Sequence, residues 1–259
     1  MKFITSRDNG TFKRLRALAA GEREEGRALL DGMHLVSTWA TRVGAPELLA
    51  VSEAAYAQAE IAGFLSLHQA VEPLLFPDAL FRQISLVASP TGILALVAIP
   101  EPARGPISGS CVVLDGVQDA GNVGSILRSA AACGIGEALL TPGCARAWSP
   151  KVLRAAMGAH CFLSIRENCD VRRNLEGFSG QLLATRLDTA ARSLFDLDLT
   201  GSVAWLFGSE GAGLSAEVAA LATASVLIPM PGGMESLNVG AAAAVCLFEE
   251  VRQKAGARG

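Results

Sequence analysis

From residue 111 onward the sequence alternates short β-rich runs with helical stretches, and that alternation restricts the fold more than any other feature. CVVLDGV is a strand, and the spacing predicts a helix over 122–133 that Gly134 stops. EALLTPG is a second strand, and Ser149-Pro150 reads as an N-cap followed by proline at the first helical position. Further strands are predicted at 161–165 (CFLSI), 181–186 (QLLATR), 203–208 (VAWLFG) and within ASVLIP, with a helix over 214–222. A closing helix is predicted over 239–254, where Ala241 to Ala244 are strong helix formers and Glu250 precedes Lys254 by four residues. Strands alternating with helices imply an α/β fold with a mostly parallel sheet flanked by helices.

Ligands bind such sheets at the carboxyl ends of the strands. Three loops at predicted strand ends combine glycines with Asn, Ser, Glu or Arg: DGVQDAGNVGSILRSA, FGSEGAGLS and PMPGGMESLN. The last cannot continue as helix through Pro229, Pro231, Gly232 and Gly233, and it runs straight into the closing helix. A helix N-terminus after a glycine-rich loop presents free backbone N–H groups. Either Ser236 or Asn238 could cap that helix with its side-chain oxygen.

The first hundred residues read as a separate small α/β unit. A helix is predicted over 11–20, a second segment over 27–43 with Leu29, Leu30, Leu35 and Val36 inside, and β-like pieces at 48–52 and 92–100. EPARGPISGS, residues 101–110, has the composition of a linker. The division is therefore 1–100, linker 101–110, and 111–259. With 51% hydrophobic residues the chain can bury a large core, yet no apolar run is long enough to span a bilayer. The N-terminus lacks the apolar stretch of a secretion signal, so a cytoplasmic protein is expected. Six cysteines without a CxxC pair read as free thiols, and three scattered histidines make no metal site. The net charge of −3 is unevenly spread: residues 1–27 carry seven Lys/Arg against four acids, a possible basic edge.

Several chemistries drop out. GSEGAG and GNVG do not have the spacing of a dinucleotide fingerprint, and there is no phosphate-binding GxxxxGK[ST]. No GxSxG elbow supports a serine hydrolase. Taken together and in order, however, DGVQDAGNVGSILRSAAACG, WLFGSEGAGLS and IPMPGGMESLNVGAAAA closely resemble the three signature motifs of the SpoU (TrmH-like) family of RNA ribose 2′-O-methyltransferases. The resemblance covers 109–259. More weakly, SRDNGTFKRLRAL, DGMHLV and SPTGILALV resemble the small substrate-binding domain of ribosomal-protein L30e type that many members carry.

The resemblance implies a sheet whose C-terminal segment threads an earlier loop as a trefoil knot (the SPOUT arrangement), S-adenosylmethionine as methyl donor, and a homodimer with the site completed at its interface. It implies structured RNA as substrate, with 23S ribosomal RNA favoured by the added N-terminal domain; a tRNA enzyme or a catalytically silent RNA-binding relative are the alternatives. Carried over by motif, Asn122 and Arg128 come from the first loop, Glu210 from the second, and Ser236 and Asn238 from the third. Arg128 would activate the 2′-hydroxyl or, since a guanidinium is a poor base, hold a positive charge where the alkoxide develops. Asn122 would place the ribose, Glu210 support the site, and Ser236 and Asn238 position arginine and substrate. Cofactor contacts are expected around Leu206, Gly208, Ile228, Met230, Leu237 and Asn238, and RNA contacts at Lys13, Arg14, Arg128 and Arg154, with Arg146 and Lys151 nearby. Plainer roles stand beside these: Asn122 as an N-cap, Arg128 in a helical ion pair, Glu210 on backbone amides, Ser236 and Asn238 as caps. Gly240 and Ala156 depart from the family pattern, which bears on substrate fit.

Overall fold

The computed structural model describes residues 2–186 and 188–257, and the chain separates into two compact units. One holds the residues up to Glu101 together with Trp148–Arg154; the other holds Pro102–Ala147 and the chain from Ala155 onward.

In the first unit, β1 (Lys2–Phe3), α1 (Gly10–Ala19), β2 (Arg27–Asp31), α2 (Met33–Arg42) and β3 (Leu48–Ser52) are followed by α3 (Glu53–Tyr56), α4 (Ala59–Leu67), β4 (Leu74–Phe76), α5 (Asp78–Ile84) and β5 (Ile93–Ala98). The sheet order is β1-β4-β3-β5-β2, with β5 antiparallel to both neighbours and the other pairs parallel. Asn9 caps α1 by accepting from the Thr11 and Phe12 N–H groups, and the three-residue spacing of Phe12, Leu15 and Leu18 lays one face of the helix into the core. The stretch expected as one segment over 27–43 divides at Gly32. Its φ of 103° ends β2 and starts α2, a conformation that costs glycine alone little.

The second unit contains β6 (Cys111–Asp115), α6 (Ala120–Ala132), β7 (Glu137–Leu140), part of α7 (Pro150–Ala156), β8 (Ser164–Arg166), α8 (Val171–Asn174), β9 (Gln181–Thr185) and β10 (Arg192–Ser193). Then come β11 (Val203–Gly208), α9 (Ala216–Ala219), β12 (Ala224–Leu227) and α10 (Val239–Gly256). All seven strands pair in parallel, in the order β10-β12-β9-β11-β6-β7-β8. The central strands are buried along their length, which is why β6 and β11 read as unbroken apolar runs. The chain runs outward through β6, β7 and β8, starts again at β9 on the other side, and fills the gap with β11. The reversal falls between β6 and β11, whose carboxyl ends pair Asp115 with Gly208.

Two expected elements are shorter than their patterns. The helix over 214–222 is one turn, Ala216–Ala219, because the chain tightens to i→i−3 bonds at Leu221 and Ala222 to reach β12. The strand expected at 161–165 begins at Ser164. A 3₁₀ turn, Ala159–Cys161, takes its place after Met157 and Gly158, both at positive φ, end the preceding helix. Residues 101–110 form neither helix nor strand, but Ile107 is buried in the second core.

Helix α10 is fastened to the sheet through Glu250, which is 2% exposed. One oxygen accepts the Trp205 indole N–H at 2.6 Å; the other accepts from the Ser110 hydroxyl and from Lys254 at 2.6 Å. The Glu250–Lys254 pair seen in the sequence is thus one arm of a buried network rather than a surface contact. All six cysteines are free thiols. No helix among the described residues is long and apolar enough to cross a membrane, and none of their His, Cys, Asp and Glu form a group suited to a metal ion.

Candidate functional site

The carboxyl ends of β6 and β7 are tied together by a residue that the sequence reading passed over. Asp115, almost fully buried, accepts the Thr141 hydroxyl at 2.8 Å on one oxygen and the Ser215 N–H at 2.7 Å on the other. Thr141 in turn accepts the Gly116 N–H at 3.0 Å. An acid ending an otherwise apolar strand, CVVLD, was its signal. Asp115 thereby fixes the loop entering α6 against the loop entering α9.

Asp119 caps α6 by accepting the Asn122 N–H at 2.8 Å, which leaves Asn122 in the first turn with its amide free to reach outward. Asn122 is therefore not the cap. After β11 the backbone folds back on itself, with Ser209 and Gly213 exchanging N–H···O bonds at 3.0 and 2.9 Å, and Glu210 stands at the tip. A Cβ on Gly208 would lie 2.2 Å from the Gly213 carbonyl carbon, so this turn closes only over glycine. After β12, Asn238 caps α10, its oxygen accepting from the Gly240 and Ala241 N–H groups. Gly240 serves the same junction: a Cβ there would meet the Ser125 hydroxyl of α6 at 2.3 Å.

The three loops meet side chain to side chain. The Asn238 amide nitrogen donates to Asn122 Oδ1 and to Glu210 Oε1, each at 2.9 Å, and the Asn122 amide nitrogen donates to that same Glu210 oxygen at 2.6 Å. Residues 116 positions apart in sequence, Asn122 and Asn238, are joined by Glu210 into one closed ring of bonds. Asn238 is both helix cap and site member, and Glu210 binds side-chain amides rather than backbone.

Beside this ring lies a cleft of about 380 Å³. Of the residues expected to contact a cofactor, Gly208, Ile228, Met230, Leu237 and Asn238 line it, together with Glu210 and Ser236. Leu206 does not; its side chain is fully buried in the core, and its carbonyl accepts the Thr185 hydroxyl. Val226, Leu227 and Val239 add an apolar wall, and Thr185, Arg186 and Glu235, none of them picked out from the sequence, complete the rim.

Arg128 stands apart. Six residues beyond Asn122 on α6, it is displaced about 9 Å along the axis and about 240° around it. It is exposed, lines a separate hollow of about 200 Å³ with Met157 and Phe162, and its side chain makes no hydrogen bond or ion pair with any described residue. The helical ion-pair reading is thereby set aside. Among the expected RNA contacts, Lys13 pairs with Asp8 at 3.1 Å and Arg14 with Glu24, while Arg154, Lys151 and Arg146 are exposed.

Residues 109–248 match the SpoU rRNA Methylase family. An uncharacterized tRNA/rRNA methyltransferase of Synechocystis is 33% identical over 97% of this chain and 94% of its own length. The 23S rRNA (guanosine(2553)-2′-O)-methyltransferase RlmP of Bacillus subtilis is 27% identical, covering 85% of this chain and 86% of its own. Among solved structures, the AdoMet-bound rRNA methyltransferase of Sinorhizobium meliloti superposes with a TM-score of 0.81 at 26% identity, covering 97% of each chain. With its motif loops closed into one hydrogen-bonded ring at the switch point of the sheet, and with this match across its length, the chain belongs to the SpoU rRNA methylase family.

Proposed function

We propose that the protein transfers a methyl group from S-adenosylmethionine to a ribose 2′-hydroxyl of 23S ribosomal RNA, in the cytoplasm. The observation that carries this is the Asn122–Glu210–Asn238 ring, which holds the three motif loops around the cleft. The cleft suits the cofactor by its donor set: aliphatic side chains and Met230 for a flat adenine, backbone of the 228–238 loop for its ring nitrogens, and carboxylates at Glu210 and Glu235 for a cationic group. When bound, the cofactor supplies a methyl group already activated on a sulfonium, so the protein's task is chiefly alignment. Ser236, exposed at the cleft mouth, and Asn238 would orient the ribose and the arginine. RNA relatives named for 23S rRNA support that substrate; a tRNA remains the second reading, supported by the Synechocystis relative's name.

Arg128 is the proposed catalytic residue, and its place on the far side of α6 bears on assembly. An arginine whose side chain has no partner among the described residues, and a cleft whose lip at Ser236, Leu237 and Asn238 is exposed, fit a site completed by a second copy. Helix α10 offers the dimer contact: Ala241, Ala244, Phe248, Val251 and Ala255 recur every three or four residues, with Phe248 52% exposed. The trefoil knot belongs to this proposal too, supported by the return of α10 from β12, second from the sheet edge, to α6 and β11. The first unit is proposed to hold the RNA, with Lys13, Arg14 and Arg154 on its surface.

The test offers purified protein, radiolabelled S-adenosylmethionine, and unmodified 23S rRNA or tRNA, with the RNA then digested to nucleosides. Label in a 2′-O-methylribose from rRNA is expected. Label from tRNA alone would move the substrate, and cofactor binding without transfer to rRNA, tRNA or intact ribosomal subunits would favour the silent relative. Arg128→Ala should lose nearly all turnover while binding cofactor as the wild type does; substantial activity in that variant would remove Arg128 from the chemistry.

A further inference from the structure

The cleft wall carries a cation that neither the ring of amides nor the motifs account for. Arg186 follows β9 and is the only Lys or Arg among the described residues lining the cleft. Its guanidinium is held from one edge. Nε donates to Asp188 Oδ2 at 2.6 Å and to Ser225 Oγ at 2.9 Å, and the Ser225 hydroxyl donates to the same Asp188 oxygen at 2.6 Å. The other Asp188 oxygen accepts the Ala190 N–H at 2.7 Å, so the acid itself is fixed.

An arginine whose purpose is to pair with an acid ordinarily turns its two-nitrogen fork to the carboxylate. Here Nε alone is engaged, and neither terminal nitrogen has a partner among the described residues. The fork is left for a planar anion, on a side chain whose head is already oriented. Strand neighbours reinforce the placement: the Arg186 N–H donates to the Val226 carbonyl of β12, next to the apolar wall of the cleft.

Resting on the reading of the cleft as the methyl-donor site, we propose that Arg186 receives the carboxylate of the donor's methionine portion, through the two terminal nitrogens that the structure leaves open. Asp188 and Ser225 are positioning residues for that contact. The other anion a methyltransferase meets is an RNA phosphate, and the two sources separate by experiment.

Isothermal titration would compare wild type, Arg186→Gln and Arg186→Lys with two ligands: S-adenosylhomocysteine and its decarboxylated analogue, which keeps the amine. Filter binding would measure a 23S rRNA fragment in parallel, and thermal unfolding would confirm that each variant folds. For a half-exposed guanidinium the expected loss is about tenfold. Wild type should favour the carboxylated ligand by about that factor. Arg186→Gln should erase the preference by weakening that ligand alone, Arg186→Lys should regain part of it, and RNA affinity should not move. Equal weakening of both ligands would make Arg186 a structural residue, and a loss confined to RNA would make it a phosphate contact; either overturns the proposal. If wild type bound neither ligand, the assignment of the cleft itself would fall, and this contact with it.

Discussion

Replacing Asn238 by Asp separates the two duties that the structure gives this residue. An aspartate caps a helix about as well as an asparagine, so the bonds from Gly240 and Ala241 at the start of α10 survive. What is lost is the amide nitrogen, with its 2.9 Å bonds to Asn122 and to Glu210. A neutral bond contributes about 1 kcal/mol and one to a carboxylate about 1.5–3, and exposure of Glu210 and Asn238 lowers the second figure to roughly 1. The new carboxylate faces that of Glu210, at a cost of about 1 kcal/mol in a wet site. The sum is about 3 kcal/mol against the closed arrangement of the three loops, or a loss of about 100-fold in cofactor affinity by titration. Thermal stability should fall little, because α10 keeps both its cap and Glu250. The partner change Glu210→Gln, made in the Asn238→Asp protein, removes the facing negative charge and lets an amide donor turn to the new carboxylate, at the expense of the Asn122 bond, since both bonds end on one Glu210 oxygen. It should recover about fivefold. A double variant binding cofactor no better than Asn238→Asp alone would refute the view that the three side chains act as one unit.

Other consequences are simpler to read out. Gly208→Ala drives a methyl into the Gly213–Leu214 backbone and should cost about 1–3 kcal/mol in urea unfolding while abolishing cofactor binding. Glu250→Leu orphans the buried Trp205 indole N–H and should destabilise by about 3 kcal/mol, with Glu250→Gln, which keeps an acceptor, losing less; unfolding followed by tryptophan emission would show the order. Burial pushes the His160 imidazole down to about 4, against a partly offsetting bond to the Ala147 carbonyl. The folded protein therefore resists a proton that the unfolded chain accepts near pH 6.5, so stability falls as pH drops from about 6.5 to about 4, by about 3 kcal/mol in all. His160→Gln should flatten that part of a stability–pH curve, and an unchanged slope would refute the assignment.

The second unit was legible because its physics is local. A parallel strand covered on both sides must be apolar along its length, so CVVLD and VAWLF announce themselves, and the glycine-rich loops between them mark where strands end. The failures have equally physical causes. LSAEVAALA has the composition of a two-turn helix, but after one turn the chain tightens to i→i−3 bonds at Leu221 and Ala222 on its way into β12. CFLSI has strand composition, but Gly158 has already turned the chain, and Phe162 is left 45% exposed. Lys2–Phe3 is too short to show any period, and its place at the edge of a sheet depends on β4, more than seventy residues away.

At the site the boundary between legible and hidden follows sequence separation. The motif loops identified Asn122, Glu210 and Asn238 singly, and their types fit the ring they form, since an amide can donate and accept at once while a carboxylate oxygen can accept twice. No local pattern carries the partnership, nor Asp115, which joins two strand ends and a loop a hundred residues on. Arg128 is the instructive case. Its motif places it six residues from Asn122, and a helix of 3.6 residues per turn turns the two side chains about 120° apart. That spacing was readable before any coordinates, and it meant that a site needing both residues had to be assembled from more than one surface of α6. The separation of Arg128 from the cleft is thus the strongest reason to expect the working enzyme to be larger than one chain. Mixing Arg128→Ala protein with a cleft-defective Gly208→Ala protein would decide it: a site shared between copies recovers activity in the mixed dimer, and a site within one chain recovers none.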